Sequence, residues 1–222
     1  MPRKIGFITT GQSPRDDVMG EFRPLLGSGV GVIEKGALDG LSRPEIEALK
    51  PGKGDFPLIT RLRDETAVVV SKKRIISLLQ RQIEELENAG VDLSALLCTE
   101  DFEGMVSRRI LLLPSRILKA LVSATLNQGR LAVLAPLRDQ KRYVKKKWRR
   151  SGISLTVETL NPYGRFEKLE EVINQIQVFS PDLIVLDCIG YALSLRDKIR
   201  ERTNKPVLLP RQVLVSVIKL LL

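Results

Sequence analysis

Residues 92–98 are Asp-Leu-Ser-Ala-Leu-Leu-Cys, and residues 182–188 are Asp-Leu-Ile-Val-Leu-Asp-Cys, so both segments share the pattern Asp-Leu-x4-Cys. Each segment is short and mostly apolar, which is typical of a strand covered on both faces in a parallel sheet. Further along each half, residues 112–114 and 208–210 are both Leu-Leu-Pro. The repeat predicts two equivalent halves, and each half carries one of the only two cysteines, Cys98 and Cys188, at the end of a core strand.

Apolar strand-like segments alternate with helix-like segments along the rest of the chain, which predicts parallel βαβ units and an α/β fold. A third pair of strand ends, at Thr10 and Pro136, is spaced more widely than the two cysteines. The first half therefore carries an insertion before its cysteine, and the glycine- and proline-containing loop and hairpin near 51–72 are the candidate. Locally, Ser13 is predicted to cap a helix beginning at Pro14, and Ser42 to form a capping box with Glu45.

The composition excludes several classes of function. The chain contains no histidine, which rules out Ser-His-Asp and Cys-His mechanisms within one chain. Two cysteines without a Cys-x-x-Cys motif argue against a disulfide scaffold or a zinc ribbon. No apolar run is long enough to span a membrane, and the first residues do not resemble a signal peptide. We therefore expect a cytoplasmic protein without a metal site or a membrane partner.

The net charge of +10 is concentrated in residues 138–150, which hold eight basic residues and one acid. Such a run suits a patch for nucleic acid or another polyanion. It also suits an amphipathic helix with a solvated basic face, because Leu137, Val144 and Trp148 fall near one helical stripe. We favour the second interpretation, since a charge run alone names no partner, and we do not expect nucleic acid to bind.

In open α/β sheets the ligand crevice lies at the carboxyl ends of the strands, where Cys98 and Cys188 are predicted to lie. Two facing thiols suit cofactor-free racemisation or epimerisation, because one thiolate removes a proton from a carbon acid and the other thiol returns a proton to the opposite face. The alternative is that both cysteines are small buried hydrophobes. Asp187 adjoins Cys188, but strand alternation predicts that it points to the other face.

Five segments together resemble the AroM family. They are Thr-Thr-Gly-Gln-Ser-Pro-Arg at 9–15, Gly-Ala-Leu-Asp-Gly-Leu-Ser at 36–42, Leu-Cys-Thr at 97–99, Leu-Pro-Ser-Arg at 113–116 and Leu-Asp-Cys-Ile-Gly-Tyr at 186–191. AroM proteins in turn resemble the aspartate/glutamate/hydantoin racemase superfamily. The resemblance implies two pseudo-symmetric flavodoxin-like lobes with mostly parallel sheets, an interlobe cleft, and a cysteine from each lobe in that cleft. The lobes are expected at 1–114 plus 208–222 and at 115–207.

The resemblance also implies roles for particular residues. Cys98 and Cys188 would be the acid/base pair. The substrate-binding residues would be the first-strand loop together with residues that flank the cysteines or form another edge of the cleft: Thr10, Gly11, Gln12, Ser13, Thr99, Ser115, Arg116 and Gly190. Where the family pattern has a glycine after Cys-Thr, this chain has Glu100.

The function so implied is that of a racemase, epimerase or isomerase of a small carboxylate-bearing or amino-acid-like substrate, without a cofactor. Arg15, Arg116 or Arg211 could bind the carboxylate, although each taken singly is better explained as a surface or helix-terminal charge. The alternative is a non-catalytic protein that binds, and thereby senses, a small anion on the same fold. A homodimer is the default oligomer for such a chain.

Overall fold

A computed structural model describes residues 3–27 and 29–222. Contacts divide the chain into two compact units. The first unit runs to Ser115 and includes Leu214–Leu222, and the second is Arg116–Val213. The elements up to the first crossing are β1 (Arg3–Thr9), α1 (Asp16–Leu26), β2 (Val30–Gly36), α2 (Arg43–Ala48), β3 (Pro57–Arg61), β4 (Ala67–Ser71), α3 (Lys72–Asn88), β5 (Leu93–Leu97), β6 (Ile110–Leu112) and α4 (Pro114–Thr125). The remaining elements are β7 (Gly129–Ala135), a short 3-10 helix (Arg138–Gln140), α5 (Lys141–Trp148), β8 (Ile153–Thr159), α6 (Leu169–Phe179), β9 (Leu183–Leu186), α7 (Leu193–Thr203), β10 (Val207–Leu208) and α8 (Pro210–Leu221).

The first unit contains a four-stranded parallel sheet in the order β2-β1-β5-β6. Its central strand β1 ends at Thr9, which lies opposite Gly36 of β2 and Leu97 of β5. Every residue of β5 is buried, as expected for a strand covered on both faces. The three neighbouring strands therefore end at the same edge of the sheet, immediately before Cys98.

The second unit contains a four-stranded parallel sheet in the order β8-β7-β9-β10. If β7 is matched to β1, β8 to β2, β9 to β5 and β10 to β6, the two sheets have the same strand order. In each, the first strand lies between the second and third, as in flavodoxin-like sheets. The predicted α/β class with two lobes and parallel sheets is confirmed.

The two units differ in what connects their strands. In the first unit α2 and the antiparallel hairpin β3–β4 lie between β2 and α3, and the hairpin falls within the insertion that the spacing predicts near 51–72. Residues 98–109 connect β5 to β6 in the first unit. The corresponding connection in the second unit, between β9 and β10, contains α7. The repeat therefore preserves the sheets and varies the connections, as loops tolerate change better than cores.

The cores form where apolar helix faces cover the sheets. In the first unit α3 contributes Ile75, Leu79 and Ile83 at helical spacing, all almost fully buried. In the second unit α6 contributes Val172, Ile173 and Ile176 in the same manner. In the part of the chain that the structure describes, no helix is both long and apolar enough to cross a membrane.

One predicted helix start is wrong. Helix α1 begins at Asp16 rather than at Pro14, and Ser13 does not cap it. Ser13 is instead bonded to the turn after β2, where Asp39 accepts both its backbone N–H (2.9 Å) and its hydroxyl (2.6 Å). The Ser42 capping box is confirmed: the Glu45 carboxylate accepts the backbone N–H of Ser42 at 2.7 Å and its hydroxyl at 2.6 Å.

The two long-range connections between units are made within helices. Helix α4 begins in the first unit with Pro114 and Ser115 and continues in the second. Helix α8 begins in the second unit at Pro210 and enters the first at Leu214. Both helices begin at the proline of the repeated Leu-Leu-Pro element, so the repeat marks the two places where the chain crosses.

Candidate active site

Cys98 follows directly on β5 and is partly exposed. The backbone N–H of Glu100 donates to its Sγ at 3.4 Å. An N–H donated to sulfur favours the thiolate over the thiol, because the negative charge is the better acceptor. The turn after β5 thus supplies a backbone donor to the thiol, and Thr99 lies buried between the two residues.

Glu100 stands where the resemblance led us to expect a glycine, and its carboxylate is bound by a lysine. Lys72, the first residue of α3, donates from Nζ to Glu100 Oε1 at 3.0 Å. The two side chains are 24% and 16% exposed, respectively. Lys72 Nζ also lies 5.5 Å from the ring centroids of both Phe56 and Phe102. The acidic side chain near Cys98 is therefore offset by a cation held against two aromatic rings.

Cys188 lies two residues beyond β9 and is buried. The backbone N–H of Gly190 donates to its Sγ at 3.4 Å. This is the same residue offset and the same distance as at Cys98. The sequence repeat therefore reproduces the local environment of the sulfur as well as its position at the strand end.

Side chains from several elements fix the turn after Cys188. The Arg211 guanidinium donates from Nε to the Ile189 carbonyl at 2.7 Å and from Nη2 to the Gly190 carbonyl at 3.0 Å. The Tyr191 hydroxyl donates to the Leu160 carbonyl at 2.6 Å. Burial, with lesser contributions from the charges of Cys188 and Asp187, holds the pKa of Tyr191 well above its ordinary value, so the phenol stays a neutral donor.

Gly190 is closely packed against the turn between β8 and α6. A Cβ at this position would lie 2.9 Å from the Tyr163 hydroxyl oxygen and 3.0 Å from Pro162 Cβ. Contacts this short force neighbouring atoms to move. The glycine therefore lets the turn between β8 and α6 pack against the backbone that carries the N–H donated to Cys188.

Asp187 is almost fully buried, and both of its carboxylate oxygens are bonded. Lys147 Nζ donates to Oδ1 at 2.7 Å and to Oδ2 at 2.9 Å, and Trp148 Nε1 donates to Oδ2 at 2.7 Å. The Lys147 side chain is only 9% exposed and that of Asp187 only 2%. Asp187 thus contacts α5, whereas Cys188 packs with Tyr191 in a different apolar cluster. The two side chains point away from each other, as strand alternation predicts.

The basic segment 138–150 is consequently more than a solvated face. Val144 and Trp148 are buried, as the helical stripe predicts, and Leu137 is half-buried. Lys147 faces inward to Asp187, which sequence analysis missed. Six cations of the segment are exposed: Arg138, Arg142, Lys145, Lys146, Arg149 and Arg150. No sequence signal separates Lys147 from its neighbours Lys145 and Lys146, because its partner lies forty residues away.

The first-strand loop, at Thr10, Gly11, Gln12 and Ser13, is packed inside the first unit. The Thr10 hydroxyl donates to Thr60 Oγ1 at 3.0 Å. A Cβ on Gly11 would lie 2.1 Å from the Arg61 carbonyl oxygen, so only glycine fits there. The loop is thus held directly against the inserted hairpin.

The side chains of Gln12 and Ser13 also form hydrogen bonds within the first unit. Gln12 Nε2 donates to the Leu38 carbonyl at 3.3 Å, and Gln12 Oε1 accepts the Arg63 N–H at 3.0 Å. Ser13 is held by Asp39, as described above. These side chains are therefore braced by the inserted hairpin and by the turn after β2.

The other predicted residues are Ser115 and Arg116, at the start of α4, and Arg15, immediately before α1. Ser115 is fully buried, and its Oγ has no hydrogen-bond partner among residues 3–27 and 29–222. Arg116 is exposed. Arg15 is buried, and it donates from Nε to Asp17 at 2.7 Å and from Nη1 to Thr9 Oγ1 at 3.0 Å. Arg15 and Arg211 thus serve protein groups, in keeping with a structural role for each.

Several solved structures resemble this chain in fold. The allantoin racemase from Klebsiella pneumoniae has a TM-score of 0.65 at 13% identity, and the match covers 99% of this chain and 87% of that one. For the aspartate racemase of Picrophilus torridus the TM-score is 0.61 at 15% identity, with 97% and 92% covered. For the maleate isomerase Iso of Pseudomonas putida S16 it is 0.60 at 15% identity, with 99% and 92% covered.

The fold is therefore that of the racemases, with a parallel α/β sheet in each of two lobes. The sequence narrows this class further, because residues 5–222 match the family model described as AroM protein. The chain belongs to the AroM family. No curated protein matches it significantly.

Proposed function

We propose that this protein is a cofactor-independent racemase, epimerase or isomerase of a small carboxylate-bearing substrate, with Cys98 and Cys188 as its acid/base pair. One observation carries the proposal. Each Sγ accepts a hydrogen bond at 3.4 Å from the backbone N–H of the residue two positions later in the sequence. The two cysteines stand at the ends of corresponding strands in two matching sheets. Cysteines buried only as small hydrophobes do not need matched donors aimed at sulfur.

The proposed chemistry needs one thiolate and one thiol. The thiolate takes the proton from the substrate carbon next to the carboxylate, and the electron pair of the broken C–H bond is delocalised into the carboxylate. The second thiol then gives its proton to the opposite face of the same carbon, which inverts the centre. General acid–base transfer of this kind typically contributes about 10²–10⁴ in rate. Reversal exchanges the two roles, so the same pair serves both directions.

Substrate binding is proposed for residues around the strand ends. The buried Ser115 hydroxyl has no partner in the described structure and could donate to a carboxylate oxygen, with Arg116 adjacent in sequence. Thr99 and Gly190 would contribute beside the cysteines. The loop of Thr10, Gly11, Gln12 and Ser13 would contribute chiefly through its backbone, because the three side chains are engaged within the first unit.

The activities named for the fold relatives support this range of chemistry. The relatives include an allantoin racemase, an aspartate racemase and a maleate isomerase. These names describe those proteins, and at 13–15% identity they transfer no substrate to this chain. They do justify a search for two kinds of reaction. One is proton transfer at a carbon next to an acyl group, and the other is isomerisation beside such a carbon.

The test is deuterium incorporation from D₂O at Cα across a panel of amino acids and related small acids, with optical rotation followed in parallel. We expect the wild-type protein to racemise one class of substrate with solvent deuterium in the product. Cys98→Ala and Cys188→Ala should each lower racemisation by at least about 10²-fold, since each removes one of the two proton carriers. Cys98→Ser and Cys188→Ser serve as near-isosteric controls for packing.

Three other outcomes would redirect the assignment. Unchanged racemisation in both alanine variants would rule out the two-cysteine mechanism. Loss of activity in only one variant would indicate a one-base reaction, such as decarboxylation or cis–trans isomerisation. Saturable binding of a small acid without any deuterium exchange would instead support the non-catalytic anion-binding protein.

A further inference from the structure

Lys147, Trp148 and Asp187 form a buried cluster at the residue that precedes Cys188, on the side away from the thiol, and the proposed proton transfer does not use any of them. The carboxylate receives three hydrogen bonds, two from the Lys147 ammonium and one from the Trp148 indole. Two oppositely charged side chains that are 9% and 2% exposed are costly to desolvate, and such a pair is not needed for stability alone. An ion pair kept at this position therefore calls for a specific explanation.

We propose that Lys147 and Asp187 are positioning residues that set the ionisation of Cys188. This inference rests on the proposed function, in which Cys188 must lose and regain a proton. Asp187 is the residue before Cys188, and its carboxylate alone would disfavour a thiolate beside it. Lys147 supplies the opposite charge at hydrogen-bonding distance from the same carboxylate, so the net charge next to the thiol is close to zero.

The other polar groups around this turn do not offer the same control. Tyr191 is a neutral phenol, because burial raises its pKa well above the ordinary value. Tyr163, in the turn between β8 and α6, lies close to Gly190. The Arg211 guanidinium, from α8, is bonded to two backbone carbonyls of the turn. Lys147 and Asp187, by contrast, form a close pair whose two charges can be removed singly or together without touching the turn itself.

Trp148 adds geometric support to this pair. Its indole N–H donates a hydrogen bond to one carboxylate oxygen of Asp187, and its ring packs in the apolar cluster between α5 and the sheet. The end of α5 is thereby fixed to the residue that precedes Cys188. A change in the charge of the pair should consequently act on the thiol through the field rather than through a loose helix.

The experiment is a charge cycle read at the thiol itself. In a Cys98→Ala background only one cysteine remains, and its pKa is obtained from thiolate ultraviolet absorbance as a function of pH, without substrate. Asp187→Asn should lower the Cys188 pKa by roughly one pH unit, and Lys147→Gln should raise it by a similar amount, because each leaves one uncompensated charge nearby. The double variant Asp187→Asn with Lys147→Gln should return close to the starting value.

Lys141→Gln is the matched control. Lys141 lies on the same helix and also pairs with a carboxylate, Glu158, at 3.2 Å, but that pair is not next to Cys188. It should leave the Cys188 pKa unchanged. A purely structural role for the cluster predicts lower stability without opposite pKa changes, so shifts in the same direction, or none, would overturn the proposal.

Two features keep the test decisive. If Lys147→Gln fails to fold, Asp187→Asn still decides the matter, because asparagine keeps a buried acceptor of the same shape. The titration contains no substrate, so it succeeds or fails independently of whether racemisation is found. An absent reaction with the predicted charge cycle would retain the Lys147–Asp187 assignment and reject only the proposed function.

Discussion

The turn after Cys98 and the turn after Cys188 present the same backbone arrangement in different surroundings. In both, an N–H two residues ahead is 3.4 Å from sulfur, and a lysine binds a nearby carboxylate. At Cys98 that carboxylate belongs to Glu100, which follows the cysteine, and the pair is partly exposed. At Cys188 it belongs to Asp187, which precedes the cysteine, and the pair is buried. The repeat has kept the backbone donor and has reached charge compensation by two different routes.

This difference separates two properties of a thiol site. The direction of the N–H is fixed by the strand end and the turn, which both halves share. The local charge balance depends on long side chains that arrive from α3 in one unit and α5 in the other. The two cysteines therefore hold equivalent positions in their sheets, while the charges around them are balanced by side chains from different helices.

The largest effect on stability should separate the two lysines. Lys147→Met leaves Asp187 buried and without its cation, and we expect a loss of about 3–5 kcal/mol in the free energy of unfolding. Lys72→Met removes a partner of Glu100 that is 24% exposed, and it should cost less, about 1 kcal/mol. Urea titrations followed by circular dichroism measure both. Equal losses would mean that the two pairs are energetically alike and that burial does not distinguish them.

A smaller effect should separate the residues that donate the N–H. Gly190→Ala places a Cβ 2.9 Å from the Tyr163 hydroxyl oxygen and should cost about 1–2 kcal/mol, together with a shift of the N–H away from Cys188. Glu100→Ala, at the corresponding position of the first unit, removes only the partly exposed ion pair. Thermal melting temperatures of the two variants give the comparison. A Glu100→Ala protein less stable than Gly190→Ala would contradict it.

The smallest effect concerns acid stability. In the first unit Glu87 of α3 accepts hydrogen bonds from the Arg108 side chain, the Ser107 hydroxyl and two backbone N–H groups, and these lower its pKa from 4.5 to about 2. A lowered folded-state pKa contributes stability above the unfolded value, and that stability is lost as pH falls from 4.5 towards 2. We expect about 1 kcal/mol, because the Arg108 side chain is largely exposed.

Glu87→Gln should flatten the stability profile between pH 4.5 and pH 2. The second unit offers a matched control in Gln177 of α6, which donates to the Arg202 carbonyl at 2.6 Å and carries no titratable group. Gln177→Ala should shift stability equally at all pH values in this range. Denaturant midpoints measured across the window test both variants, and an unchanged slope in Glu87→Gln would remove Glu87 as the cause.

The sheets were predictable because local pattern and internal repeat agree. The apolar runs before Cys98 and Cys188 are strands in corresponding sheet positions, and Leu-Leu-Pro begins a helix in both halves. The burial of the Lys147 side chain was not predictable, because it depends on a carboxylate, Asp187, that is distant in sequence. The displaced start of α1 has the same origin. Ser13 has the sequence of a cap, but Asp39, which follows β2, binds it more completely.

Helix α8 has a consequence for how the protein is made. Its residues Leu214 and Ile218 are fully buried in the first unit, and Arg3 of β1 donates to the Leu221 carbonyl at 2.5 Å. A chain emerging from the ribosome must therefore carry its first sheet, still lacking this helix, through synthesis of the whole second unit. The unit whose sequence starts first is completed last, and the second unit has the opportunity to fold before it.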